Sequence, residues 1–170
     1  MHHLRRSAIG SAAVSALVCC ALAAPNAQAD TRSLHLGSVQ TQFTSYACKE
    51  FAADGSCLLA QVTTAATATS NLATGPGSVQ QTLIVDFSPG GSCNIVDEKS
   101  EFVFAMGTIS THSHHEDCAT HGLRINTTFQ VTGGTGAFHG ATGSGREFTA
   151  ATPPNSPAFP TINYEGTITF

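Results

Sequence analysis

The feature that most constrains the fold is a glycine-rich segment, Val131 to Gly145, which holds six glycines in fifteen residues. Glycine accepts positive φ angles and close backbone approach, so this density indicates a tight turn. An alternating apolar and polar stretch precedes the segment, and a second strand pattern follows it. The sequence therefore predicts a strand-to-strand turn with an aromatic side chain filling the core at its base. The residues assigned to this structural turn are Gly133, Gly134, Gly136, Phe138 and Gly140.

The start of the segment, Val131 to Gly136, also looks like the phosphate loop of dinucleotide-binding enzymes. Such a loop needs a following helix whose N-terminus meets the pyrophosphate, and an acidic residue about 20 positions further on. Further glycines and a proline-rich stretch follow here instead, and the chain has no Gly-Lys-Ser/Thr motif. We therefore expect no nucleotide cofactor.

Apolar and polar residues alternate along much of the chain, as in strands with one buried face. Turn residues separate these stretches, and no window has the period of an amphipathic helix. The predicted strands are 33–43, 57–70, 78–88, 94–98, 101–111, 122–132, 138–149 and 161–170. About eight antiparallel strands suit a small barrel or a sandwich, and closure is favoured because it removes exposed edges. We predict an all-β fold, a single antiparallel barrel of about eight strands.

The first residues have the pattern of a cleavable secretory signal, with Arg5 and Arg6, an apolar centre, and a small-x-small ending at Ala27 to Ala29. The apolar centre is too short and too rich in small residues for a membrane span, and no later segment approaches the roughly 20 apolar residues that a spanning helix needs. We predict a signal peptide over 1–29 and one domain over 30–170, secreted to the periplasm or the cell exterior, with no stable membrane insertion.

The balance of charge excludes one class of partner. The chain has eleven acidic residues and seven basic ones, and two of the basic residues lie in the predicted signal peptide. Phosphate binding needs clustered Lys and Arg to displace counterions, and no such cluster is present. Nucleic acid is therefore not an expected partner.

Four cysteines follow the predicted signal peptide, and an even number in an exported chain indicates two disulfides in one of three connectivities. The favoured pairs are Cys48 with Cys57, which brackets a short polar loop, and Cys93 with Cys118. A zinc site of cysteine and histidine is disfavoured, because the chain has no Cys-x-x-Cys pair.

Two stretches carry a family resemblance. Val131 to Phe138, continued by Gly140 to Gly143, and the C-terminal Tyr164 to Phe170 resemble the signature of allene oxide cyclase-like and dirigent-like barrels, including exported bacterial members. The resemblance implies an eight-stranded barrel with an apolar central cavity, which some relatives use to hold or cyclise hydrophobic small molecules. The family pattern often has a basic residue at the position of Ala137, and it lacks these cysteines and the histidine-rich segment. No catalytic residue is carried over from it.

The segment from His112 to His121 is the most suggestive chemically. Its imidazoles could bind Zn²⁺ or Cu²⁺, and on a strand His112 and His114 would share a face. The favoured interpretation is a solvated hairpin loop after strand 101–111, tied down by Cys118; a pH-dependent loop is a third alternative. No metal is therefore assigned, and the weak candidate ligands are His112, His114, His115 and His121.

Arg146, Glu147 and Tyr164 are the other candidates, as an acid/base set facing a barrel cavity. Alternation places Arg146 and Glu147 on opposite faces, so at most one of them points inward. A surface ion pair or a rim position is the favoured interpretation for these residues.

Three functions are compatible with these features. The leading one is a secreted, non-catalytic binding or scaffold protein for an apolar small molecule or partner. The first alternative is a cyclase-type enzyme, which requires an ionisable residue with a shifted pKa inside the cavity. The second is an outer-membrane barrel, suggested by the terminal Phe170 and disfavoured by the absence of Trp and hence of aromatic girdles. The oligomeric state is left open.

Overall fold

Eight antiparallel strands close into a barrel in the computed structural model, which describes residues 29–89, 92–118, 125–149 and 161–170. The strands are β1 (Thr31–Phe51), β2 (Cys57–Ser70), β3 (Gly77–Asp86), β4 (Cys93–Phe104), β5 (Gly107–Cys118), β6 (Asn126–Gly134), β7 (Thr142–Thr149) and β8 (Thr161–Thr169). A short 3-10 turn, Gly136–Phe138, precedes β7. The predicted fold class is confirmed. The predicted signal peptide lies outside the described residues, except for Ala29.

The barrel closes because β1 pairs with both β2 and β8. Leu36 lies opposite Ser70 on one side and opposite Tyr164 on the other. β1 is 21 residues long, and it pairs with β8 only from Thr31 to Val39. Its second half continues as a long hairpin with β2, so the strand ends at Phe51 rather than at the predicted residue 43.

The predicted division of the strands between residues 94 and 111 was wrong. Residues 94–98 and 101 onward were predicted as separate strands, but they belong to one strand, β4, and the chain turns after Phe104. The cause is a pair of polar residues, Glu98 and Ser100, that face the barrel interior and interrupt the apolar pattern. Of the expected strand 122–132, residues 122–124 lie outside the described residues, and β6 covers the rest from Asn126.

The histidine-rich segment is part of a strand. The expected solvated loop after residue 111 is wrong for residues 112–118, because β5 continues to Cys118 and pairs with β4 along its whole length. The Cys93–Cys118 disulfide joins the two strands at the end of this pairing, and the second disulfide joins Cys48 to Cys57. Both predicted disulfide pairs are therefore confirmed.

One end of the barrel is packed with apolar side chains. We call it the packed end; both described chain ends and the β2–β3, β4–β5 and β6–β7 turns lie there. The rings of Phe102 and Phe129 contact Tyr164 edge-on, with centroids 5.1 and 5.4 Å away. Phe138 is 1% exposed and packs on Phe170, so the side chain at the base of the glycine-rich turn does fill the core.

The glycine-rich segment follows the backbone path that its composition suggests. Gly133 and Gly134 end β6, and Gly136, with φ of 59°, begins the 3-10 turn. A Cβ atom at Gly136 would collide with the carbonyl oxygen of Met106, so this position requires glycine for space as well as for conformation. Gly140 also has a positive φ, of 76°.

Candidate functional site

A layer of polar side chains crosses the barrel interior above the packed end. Strand alternation points these side chains inward, and register brings Gln81 opposite Ser100, Glu98 opposite Ser113 and Glu147 opposite Tyr164. All are buried, although Ser, Thr, Gln and Glu are mostly exposed in folded proteins. We call this set the polar layer; its members are Thr64, Gln81, Glu98, Ser100, Ser113, Glu147 and Tyr164.

Glu98 is the hydrogen-bonding centre of the polar layer. Its Oε1 atom accepts hydrogen bonds from Gln81 Nε2 at 2.8 Å, Ser100 Oγ at 2.7 Å and Tyr164 Oη at 2.9 Å. Thr64 Oγ1 donates to Gln81 Oε1 at 3.1 Å and so fixes the amide in this orientation. Three donors on one oxygen satisfy its hydrogen-bonding capacity in the interior, where an unpaired polar atom would be costly.

Glu147 is also a buried carboxyl, but it lacks the hydrogen bonds that Glu98 has. It is fully buried, and neither of its oxygens has a hydrogen-bond partner of good geometry among the described residues. Burial, and then the neighbouring carboxylate of Glu98, raise the pKa of Glu147 to about 8, although the nearby Ser113 and Tyr164 hydroxyls partly oppose the shift. Glu147 therefore carries a proton at neutral pH.

Tyr164 connects the two carboxyl groups. It donates to Glu98 and lies opposite Glu147 across the β7–β8 pair. Burial, and then the charges of Glu98 and Glu147, raise the pKa of Tyr164 well above its ordinary value. The phenol is therefore neutral and serves as a fixed donor.

A cavity of about 310 Å³ lies on the other side of the polar layer, toward the end of the barrel that carries the β1–β2 hairpin. Gln81, Glu98 and Thr64 form its polar floor, and Phe43, His115, Asp117 and Thr149 also line it. The remaining wall is apolar, made by Val62, Leu83, Val85, Val96, Ile125 and Ile162. Glu147 does not line the cavity; it belongs to the polar layer and is two residues from Thr149 on the same face of β7.

His115 brings an imidazole to the wall of this cavity. Burial is the largest cause that lowers the pKa of His115, and the carboxylates of Glu98 and Asp117 oppose the shift. Its Nδ1 atom is buried and has no hydrogen-bond partner among the described residues. A neutral ring with an unpaired nitrogen can bind a ligand's polar group at this position.

The four candidate metal ligands do not form one cluster. His115 faces the cavity, whereas His112 and His114 lie on the outer face of β5 beside Asp97, at 2.8 and 3.8 Å from its Oδ2 atom. His121 lies outside the described residues.

The acid/base candidates also separate. Arg146 faces outward and donates to Asn126 Oδ1 at 2.7 Å, while Glu147 and Tyr164 face inward. The favoured surface or rim position was therefore wrong for Glu147 and Tyr164, because strand alternation carries both into the interior.

Sequence reasoning did not identify the floor of the site. Gln81 lies in phase with Val79 and Leu83, and Glu98 lies in phase with Val96 and Phe102, so alternation does point both inward. This alternation was the available signal. For Glu98 it can be recognised only once the strand is known to continue through Lys99 and Ser100.

Among the described residues, no helix is long and apolar enough to cross a membrane. No protein-family model matches the chain, and no curated protein matches it either. Its fold is similar to that of pyocyanin demethylase, with a TM-score of 0.49 and 13% identity over 82% of this chain and 99% of that chain. It is also similar to a pterocarpan synthase dirigent protein, with a TM-score of 0.49 and 13% identity over 84% of this chain and 88% of that chain. The chain has the closed eight-stranded barrel that its resemblance to the allene oxide cyclase-like and dirigent-like barrels implied.

Proposed function

We propose that the chain is a secreted protein that binds an apolar small molecule in the barrel cavity, with a polar group of that molecule on the floor. The observation that carries this proposal is the cavity of about 310 Å³, whose apolar wall ends at the fixed hydrogen-bonding groups of Gln81 and Glu98. Small-molecule sites typically have mostly apolar walls, a few placed polar groups and a volume of about 300 to 1,000 Å³. The two disulfides support an oxidising, extracytoplasmic location.

The outer face of the barrel supports a binding protein over an outer-membrane barrel. Such a barrel needs an apolar band toward lipid. Five large hydrophobic side chains are exposed among the described residues. Polar residues such as Lys99 and Glu101 occupy the outer face of β4. The five are Phe43, Tyr46, Phe51, Val103 and Met106.

The test is a matched pair of substitutions. Val85→Phe adds an aromatic ring to the cavity wall, and Val103→Phe adds the same ring to the exposed face of β4. Binding of the uncharged fluorescent probe N-phenyl-1-naphthylamine is titrated for both variants and the wild type, with circular dichroism to check the fold. We expect Val85→Phe to weaken binding by at least about tenfold, since a filled pocket excludes the ligand, and Val103→Phe to leave it unchanged. Equal binding by the two variants, or no binding by the wild type, would overturn the proposal.

A second candidate function is acid/base catalysis on a hydrophobic substrate held in the same cavity. The observation that favours it is the pair of buried carboxyls: Glu98 lines the cavity floor, and Glu147 belongs to the same polar layer with its pKa raised to about 8 by burial and by Glu98. A carboxyl with a raised pKa can act as a general acid, as in enzymes that use a pair of carboxyls in different environments. If the barrel is an enzyme, Glu98→Gln should still bind the probe but should no longer convert a bound ligand. Mass spectrometry would detect the converted ligand in the wild type and its absence in the variant. A merely binding barrel would convert no ligand in either form.

A further inference from the structure

The outer face of the β4–β5 pair carries a cluster that the cavity does not use. We define the outer histidine cluster as Asp97, His112 and His114. Residues 112 and 114 share a face of β5, and Asp97 of β4 lies directly opposite His114 in the register. The Oδ2 atom of Asp97 is 2.8 Å from His112 Nε2 and 3.8 Å from His114 Nδ1.

A cation shared by the three side chains would require the imidazoles to turn toward it from their present positions beside Asp97. About a third of each of Asp97 and His112, and more than half of His114, is exposed to solvent, so the rings are free to reorient. All three lie on the paired strands β4 and β5 rather than on a loop, so less conformational entropy is lost when the ligands come together. The geometry at hand is one carboxylate between two imidazoles.

Two imidazoles and a carboxylate match the preferences of a late first-row divalent cation. Imidazole suits Zn²⁺ and Cu²⁺, and zinc sites combine histidine with Asp or Glu and leave a position for water. Mg²⁺ prefers an all-oxygen set, which this cluster does not supply. We propose that the outer histidine cluster binds Zn²⁺ or Cu²⁺ through Asp97, His112 and His114, independently of the barrel cavity.

Two neighbouring groups help to delimit the site. His115 follows His114 but points into the barrel, so it cannot join the same ion. Cys93, Glu116 and Cys118 also lie close together, but both sulfurs are bonded to each other in the disulfide and offer no thiolate. The disulfide therefore rules out a thiolate site here, and it leaves the imidazoles of His112 and His114 with the nearby carboxylate of Asp97 as the proposed ligands.

The chain also offers a matched control. His35 lies 3.9 Å from Glu165 on the outer face of the β1–β8 pair, with more than half of each side chain exposed. This pair has one imidazole and one carboxylate but no second histidine two residues away in the strand. Replacing His35 therefore shows whether zinc binds weakly to any surface histidine or requires the three-ligand set.

The experiment measures zinc affinity for the protein without an affinity tag, by competition with a chromophoric chelator at neutral pH. We expect one zinc ion per chain at this site, copper to bind more tightly than zinc, and magnesium not to compete. His112→Ala and His114→Ala should each weaken zinc binding by at least about tenfold, and Asp97→Asn should weaken it as well. His35→Ala should leave the affinity unchanged.

A second measurement covers the possibility that a variant is misfolded. In the wild type, imidazole NMR signals of His112 and His114 should shift on addition of zinc, while that of His35 should not. The proposal is overturned if His112→Ala and His114→Ala bind zinc as tightly as the wild type, if His35→Ala loses as much, or if the imidazole signals of His112 and His114 do not move.

Discussion

Replacement of Glu147 by Gln tests whether the polar layer holds a protonated carboxyl. Gln keeps the shape of the side chain but removes its titration. Among the described residues, the groups that act on Glu147 are the carboxyl of Glu98 and the hydroxyls of Ser113 and Tyr164, and none of these is basic. The folded protein therefore favours the neutral form, whereas the unfolded chain ionises it as an ordinary carboxyl.

The sign and size of the effect follow from the two pKa values. The pKa of Glu147 rises from 4.5 to about 8 on folding, so between these pH values the folded state binds more protons than the unfolded state. Stability from this group is complete below the unfolded pKa and is lost as pH rises through the folded pKa. Each pH unit inside the window changes the free energy of unfolding by up to about 1.4 kcal/mol. Between pH 5 and 7 the wild type should therefore lose roughly 2 to 3 kcal/mol relative to Glu147→Gln.

Urea unfolding at several pH values between 5 and 8 measures this difference. Titrating groups far from Glu147 contribute equally to both proteins and cancel in the comparison. Glu101→Gln, on the exposed face of β4, is the control and should follow the pH dependence of the wild type. If the wild type and Glu147→Gln have the same pH dependence, Glu147 is an ordinary ionised carboxyl and the reasoning about the polar layer fails.

Two further predictions concern the backbone of the barrel and its disulfides. Gly145→Ala should lower the free energy of unfolding by about 1 to 3 kcal/mol, because the added Cβ would collide with backbone atoms of Glu165 and Gly166. Ser144→Ala, at the exposed neighbouring position, is the control. An unchanged urea midpoint for Gly145→Ala, or an equal loss of stability in Ser144→Ala, would contradict this. Removing the Cys93–Cys118 disulfide should cost roughly 1 kcal/mol more than removing Cys48–Cys57, since their sequence separations are 25 and 9 residues. Urea unfolding of the two double Cys→Ser variants measures the difference, and a larger loss for the shorter loop would contradict the chain-entropy argument.

The fold could be predicted because its signals are local. Alternation over Phe129 and Val131 gives the buried face of β6 directly, and both side chains are buried. The cysteine pairs were predictable for the same reason, since Cys48 and Cys57 bracket one hairpin tip and Cys93 and Cys118 end one strand pair. Patterns of this kind involve residues of one strand or one strand pair, so they can be recognised before the fold is known.

The candidate site could not be predicted because its partners come from different strands. Tyr164 and Glu98 are 66 residues apart and meet only when the barrel closes. A polar residue in an alternating stretch is ordinarily assigned to the solvent face, so Gln81 was left out of the buried face of β3. The shifted pKa of Glu147 depends on burial and on Glu98, and neither is visible in the residues around Glu147.

The position of the polar layer argues for a role in binding rather than in folding. The packed end shows that this chain can fill the same barrel with Phe102, Ile109 and Phe129. Buried ionisable groups contribute little net stability compared with apolar side chains of similar volume, because they lose their hydration. Glu147 has no compensating hydrogen bond of good geometry among the described residues, so it adds cost without visible structural benefit. Since the layer lies where the cavity begins, the ligand proposed above would give its hydrogen-bonding groups a role.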